Sequence, residues 1–122
     1  SGWEIKTPNW PAIAGSKRAR FTRIPLMCGE QPGASLTLKF TGTAVGAYVV
    51  AGPDAAILEA RVDQGDVHSV NLHHRFSKGL HYPRTVMFAT DLPAGEHVLT
   101  LRIADDSKSK GHAARIMKFV AN

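Results

Sequence analysis

The chain has 122 residues, 43% of them hydrophobic and 20% charged, with a formal net charge of +5. That size buries well over half of the surface an unfolded chain exposes, so one domain, 1–122, around one core is the expectation. The composition excludes a disordered chain, and no apolar run is long enough to cross a bilayer as a helix.

The chain begins Ser1-Gly2-Trp3, without Met, and reads as a domain excised from a larger multidomain protein. Pro8, Pro11, Gly15, Pro25, Gly29, Pro32 and Gly33 interrupt every pattern in the first part. This predicts an extended segment with one strand near Ala19 to Pro25, wrapping onto the rest. Trp3 and Trp10 are expected to cover a core edge. Cys28 is the only cysteine, which excludes an intrachain disulfide and a thiolate metal cluster and leaves it as a small buried hydrophobe.

From Ser35 onward the pattern has period two. Leu36, Leu38 and Phe40 fall on one face and Ser35, Thr37 and Lys39 on the other, as in a strand with one side in a core. Thr43 to Val50, Ile57 to Val62, His68 to Leu72 and Thr85 to Ala89 are further strands. In His97 to Ile103, Leu99, Leu101 and Ile103 alternate with Val98, Thr100 and Arg102, and Ala113 to Val120 is the last strand. The breakers Thr41-Gly42, Ala51-Gly52-Pro53-Asp54, Asp63-Gln64-Gly65-Asp66, Asp91 to Glu96 and Lys108 to Gly111 are spaced as in an antiparallel sandwich, with a tight hairpin at Asp63 to Asp66. Only Pro53 to Ala60 offers a short helical turn. The fold class is therefore all-β, an antiparallel β-sandwich.

The positive charge favours anionic partners but is dispersed. Lys17, Arg18, Arg20 and Arg23 form one cluster, Arg75, Lys78 and Arg84 a second, and Lys108, Lys110, Arg115 and Lys118 a third. No nucleic-acid-binding motif accompanies them, so a solvated surface is expected and neither nucleic acid nor membrane is expected as a partner.

Six histidines raise a metal site, but His73 and His74 are adjacent and in a strand would point to opposite faces. There is no His-Glu-x-x-His pattern. A structural calcium is the better candidate, with Asp54, Asp63 and Asp66 in turns whose carbonyls can complete an oxygen shell. No other cofactor is implied. Ser77 and His81 share a loop, yet no Gly-x-Ser-x-Gly elbow frames the serine, which reads as a loop hydrogen-bonder. Glu30, Glu59 and Glu96 form no visible acid and nucleophile pair. The isolated domain is expected to be non-catalytic.

The stretch His73-His74-Arg75-Phe76-Ser77-Lys78-Gly79-Leu80-His81-Tyr82-Pro83-Arg84 carries groups suited to sugars. Aromatic faces cover the C–H face of a pyranose, and Arg75, Lys78, His81 and Arg84 donate to hydroxyls, carboxylates or sulfates. Phe76 and Leu80 are expected to pack inward. The candidate ligand-binding residues are His73, Arg75, Lys78, His81, Tyr82 and Arg84, with Tyr48 and Asp54 as neighbours.

Phe40-Thr41-Gly42-Thr43-Ala44-Val45-Gly46-Ala47-Tyr48, Ala51-Gly52-Pro53-Asp54-Ala55 and Arg61-Val62-Asp63-Gln64-Gly65 resemble the accessory sandwich domain of bacterial SGNH (GDSL-type) hydrolases and carbohydrate esterases. Phe76 to Arg84, Asp91 to His97 and Lys110 to Ile116 are similar to its later segments, and the likeness runs from about Trp10 to the C-terminus. It implies a jelly-roll, galactose-binding-like sandwich of the kind used by carbohydrate-binding modules. It also implies a polysaccharide or oligosaccharide partner, an adjacent catalytic domain in the parent chain, and a secreted or periplasmic location. The chain has neither the Gly-Asp-Ser nucleophile block nor the Asp-x-x-His block of an SGNH catalytic domain, so hydrolase chemistry does not carry over. Asp63-Gln64-Gly65 stands where the family often has Asp-Gly-Gly. Two functions follow from the resemblance: a carbohydrate-binding module, or a structural domain that packs on a catalytic neighbour and completes its active-site rim.

Overall fold

The structure is a computed structural model and describes residues 2–13, 15–17, 24–74, 79–107, 109 and 111–122, with 16 and 17 described by backbone alone. Its strands are β1 (Trp3–Lys6), β2 (Ser16–Lys17), β3 (Leu26–Gly29), β4 (Ser35–Thr41), β5 (Val45–Ala51), β6 (Ile57–Val62), β7 (His68–Asn71), β8 (Leu80–Ala89), β9 (Glu96–Ile103) and β10 (Ala114–Ala121), with a 3-10 turn at Trp10–Ala12. They form a six-stranded sheet, β1-β3-β10-β5-β8-β2, and a four-stranded sheet, β4-β9-β6-β7. The pairings are antiparallel except for the short β2–β8 contact, which is parallel.

Alternation decides what lies between the sheets. Leu36 pairs with Leu101 and Leu38 with Leu99, while Leu58 and Ala60 of β6 oppose Ile103 and Leu101. Val45, Ala47 and Val49 of β5, Val86 and Phe88 of β8, and Ala114 and Ile116 of β10 close the core from the other sheet. Each fully buried Leu, Ile or Val here contributes on the order of 1.5–3 kcal/mol of transfer free energy.

A second, smaller cluster lies on the outer face of the six-stranded sheet, where Trp10 packs on Leu26, Cys28 and Val50, with Ile13 and Met117 beside them. Residues 7–13 fold back over this face. Trp10 is buried there and Trp3 packs against the main core, the roles expected of both rings. Cys28 is 2% exposed, and burial pushes its thiol pKa up. The register of β10 shifts between Ile116 and Lys118. This bulge lets Met117 join the outer cluster while Lys118 still lies over Tyr48.

Three expectations change. Pro53 to Ala60 contains no helical turn: Ala55 N–H donates to Gly52 O (3.1 Å), Ala55 bridges Ala113, and β6 starts at Ile57. The strand expected at Thr85 begins at Leu80; Pro83 is tolerated because, among the described residues, β8 beyond His81 has only β5 beside it. The β6–β7 hairpin forms, but its ladder closes at Ala60 and His68, so the turn is wider than Asp63 to Asp66. The strand expected at Ala19 to Pro25 lies largely outside the described residues, and β1 and β3 were hidden by the surrounding prolines and glycines.

Candidate functional site

The two ends of the sandwich differ. At one end the strands join through short turns at 42–44, 63–67 and 90–95, tied down by Gly42 N–H to Gly95 O (2.9 Å) and Leu92 N–H to Thr43 O (2.8 Å). At the other end lie the connection 52–56 and two longer ones, 72–79 and 104–113. This end collects His73, His81, Tyr82 and Asp54, four of the eight candidate residues. Arg75 and Lys78 lie outside the described residues, as do Phe76 and Ser77.

Along β8 successive side chains face opposite ways. Val86 and Phe88 point into the core, so Tyr82 and Arg84 take the inter-sheet side and His81 the outer one. Tyr82 Oη lies 2.6 Å from His74 Nδ1, their rings edge to face at 6.2 Å. Arg84 Nη1 donates weakly to Asn71 O at 3.4 Å, and Asn71 Oδ1 accepts the His73 N–H at 2.9 Å. Burial raises the Tyr82 pKa, with Arg84 opposing it. The phenol therefore stays protonated and acts as donor or acceptor, never as a base at neutral pH.

His81, expected among the ligand-binding residues, is fully buried. Its ring stands edge-on to Trp10 at 5.2 Å and lies so close to Gly52 that a Cβ there would overlap its Nδ1. Residues 7–13 fold over the face to which the strand's pleat turns it, so it is closed off from a polysaccharide.

Beside His81 is a pair that the sequence did not announce. Arg115, 4% exposed, sends Nη1 and Nη2 to Asp54 Oδ1 and Oδ2, each at 2.8 Å. Its guanidinium also lies 5.0 Å from the Trp10 ring centre. His81 Nδ1 is 3.9 Å from Asp54 Oδ1. Burial works to raise the Asp54 pKa, but the hydrogen bonds and charge of Arg115, with His81 behind them, hold it below its ordinary value. A charged residue inside the apolar run Ala113-Ala114-Arg115-Ile116 was the available signal, because such a charge is tolerated only with a partner.

Asp54 borders a groove of about 390 Å³ walled by Ala12, Ile13, Glu30, Gly111, His112 and Ala113, with Arg115 behind. Ser109 Oγ donates to Ala55 O (2.7 Å) and Ser107 Oγ to Gly111 O (2.5 Å), which fixes the connection forming its rim.

Tyr48 is not a neighbour of the loop end. It lies midway along β5 on the outer face, with Lys118 Nζ 5.0 Å from its ring centre, and Met87 is a second exposed apolar side chain on that face. The calcium expectation also changes: Asp54 stands at the opposite end of β6 from Asp63 and Asp66, and Asp63 is bonded to His97 at 2.7 Å. Among the described residues no group of three or more His, Cys, Asp or Glu side chains could hold a metal ion. Of the expected basic clusters, Arg18, Arg20, Arg23, Arg75, Lys78, Lys108 and Lys110 lie outside the described residues.

No protein-family model matches the chain, and no curated protein matches it in sequence. Solved structures do match. A two-domain esterase active on acetylated mannans superposes with a TM-score of 0.64 at 11% identity, over 99% of this chain and 33% of that one. A family two carbohydrate esterase from Clostridium thermocellum, in complex with cellohexaose, gives 0.56 at 19% identity over 80% and 27%. A family GH115 4-O-methyl-α-glucuronidase with specificity for decorated arabinogalactans gives 0.50 at 8% identity over 100% and 16%. This β-sandwich thus recurs as one part of larger carbohydrate-active enzymes, and the chain spans a third or less of each of them.

Proposed function

We propose that the chain is a non-catalytic carbohydrate-binding domain that brings an attached, secreted or periplasmic esterase to its polysaccharide. The jelly-roll, galactose-binding-like winding and the SGNH-type neighbour belong to this proposal. The observation that carries it is a sandwich of the carbohydrate-esterase kind whose long-loop end presents Tyr82 and His74 as a hydrogen-bonded ring pair beside Arg84. A phenol and an imidazole at right angles offer an apolar edge for C–H groups and polar atoms for hydroxyls.

Calorimetry or affinity electrophoresis of the 122-residue chain against a panel of neutral and acidic polysaccharides tests the reading. Binding to at least one glycan, weakened by Tyr82→Ala, supports it, and binding to none overturns it.

A second reading has its own observation. The outer face of the six-stranded sheet exposes Tyr48 and Met87 next to Lys118, which suits packing on a neighbouring domain of the same chain. Under that reading the domain completes the rim of a catalytic site. Deleting it from the parent enzyme then abolishes turnover of a small soluble ester, while the isolated chain binds no sugar.

A further inference from the structure

The proposed function leaves open which sugars the loop end accepts, and the groove beside Asp54 answers in its own chemistry. Resting on the carbohydrate-binding reading, we propose that this groove is a subsite for one neutral sugar residue, held through its hydroxyl donors, and that it rejects uronates.

Its polar wall is built of acceptors. Each Asp54 carboxylate oxygen takes one Arg115 N–H at 2.8 Å. A carboxylate has about four lone-pair positions, so about two remain for donors from outside. Arg115 also lines the groove, but both of its Nη groups are turned to Asp54 and its side chain is buried, so those donors are already engaged. His112 Nε2 lies 3.0 Å from Asp105 O. A carbonyl only accepts, so Nε2 carries the proton and the Nδ1 edge of the ring is left toward the groove. Glu30, also on the wall, is a second carboxylate, with Lys6 Nζ at 3.7 Å.

The other wall is apolar. Ala12, Ile13 and Ala113 give a surface for the C–H face of a ring. The volume, about 390 Å³, falls at the low end of small-ligand sites, which run from about 300 to 1,000 Å³.

The site is also preformed. Asp54 is clamped by Arg115 through its side chain and by Ala113 N–H through its carbonyl (2.8 Å), and Gly111 lies against it with room for little more than hydrogen. A rigid pair of acceptors matches two neighbouring O–H donors of a pyranose without ordering cost. A uronate carboxylate brought here meets Asp54 and Glu30 as like charges, so the subsite opposes the preference for anionic chains that the net charge of +5 suggests.

The test is calorimetry of the 122-residue chain with β-1,4-linked glucose and mannose oligosaccharides and with oligogalacturonate, alongside Glu30→Gln, His112→Ala and Tyr82→Ala. The proposal expects neutral oligosaccharides to bind more tightly than the uronate. It also expects about three- to tenfold weaker neutral binding for Glu30→Gln and for His112→Ala, with unchanged thermal unfolding, and amide shifts at Gly111 and Ala113 on titration. Tighter binding of the uronate overturns it, as does wild-type affinity in both groove variants. If those variants bind normally and only Tyr82→Ala weakens binding, the groove assignment falls while the carbohydrate-binding reading stands. If the wild-type chain binds none of these sugars, and no glycan of the wider panel, both fall together.

Discussion

Arg115 holds Asp54 through two parallel hydrogen bonds of 2.8 Å across 61 residues of sequence. This pair joins the β5–β6 turn to β10, and Trp10 stacks over it to join the returning N-terminal segment as well. Arg115→Ala strands a partly buried carboxylate and is expected to cost about 3 kcal/mol in urea denaturation. Replacing Asp54 by Ala at the same time removes the stranded charge, so the double variant should cost clearly less than the sum of the singles. Additive costs would show that the two groups do not act as a pair.

The fit of His81 over Gly52 predicts a sharp contrast between two glycines. A Cβ at Gly52 overlaps the buried imidazole, whereas nothing lies within 4 Å of a Cβ at Gly79. Gly52→Ala should lose about 1–3 kcal/mol as the ring is displaced. Gly79→Ala should change stability by less than about 0.5 kcal/mol. Thermal melts of the two variants side by side check this.

His97 ties the two short-turn connections together. Its Nδ1 lies 2.7 Å from Asp63 Oδ2 and its Nε2 2.6 Å from Pro93 O. Both partners accept, so the doubly protonated ring fits the site. The hydrogen bond with Asp63, helped by Pro93, raises the His97 pKa above its ordinary 6.5. The His97 contact, with the Val98 N–H, lowers that of Asp63 below 3.8. The His97 contribution is therefore full below about pH 6.5 and fades as pH rises through the raised value. The Asp63 contribution is full above about pH 3.8 and fades as pH falls through the lowered one. Tm measured from pH 4 to 9 should fall on the alkaline side of this window, and His97→Gln should flatten that slope.

Tyr82→Ala and Tyr82→Phe separate the ring from its hydroxyl. The alanine variant should weaken binding of a recognised polysaccharide by about tenfold, close to 1.4 kcal/mol. The phenylalanine variant keeps the stacking edge and loses only the bond to His74, so its loss should be about threefold or less. Equal losses for the two would move the contact from the ring to the hydroxyl.

β4 and β9 were legible because each buries one face, and burial of alternate side chains writes itself as period two in Leu36, Leu38 and Phe40 or Leu99, Leu101 and Ile103. β3 was illegible for the opposite reason. Both of its faces are covered, one by the core and one by the Trp10 cluster, so Leu26-Met27-Cys28-Gly29 shows no alternation. At the candidate site, His73 and Asp54 lie in connections at one end of the sandwich and Tyr82 at the start of β8 beside them. The sequence could not say that His81, one residue before Tyr82, is sealed beneath Trp10, because that depends on a distant segment folding back.

What the sequence by itself determined is the all-β class, most strand positions and the lack of a framed nucleophile, all properties of local pattern and residue type. What only the tertiary structure decided is which side chains meet: Arg115 with Asp54, Trp10 with His81, and Glu30, Asp54 and His112 on one groove. Those meetings join residues up to 82 positions apart, from Glu30 to His112. They rest on sheet order and on the return of residues 7–13, which no local periodicity encodes, because a strand's pattern records that a face is buried and not what buries it.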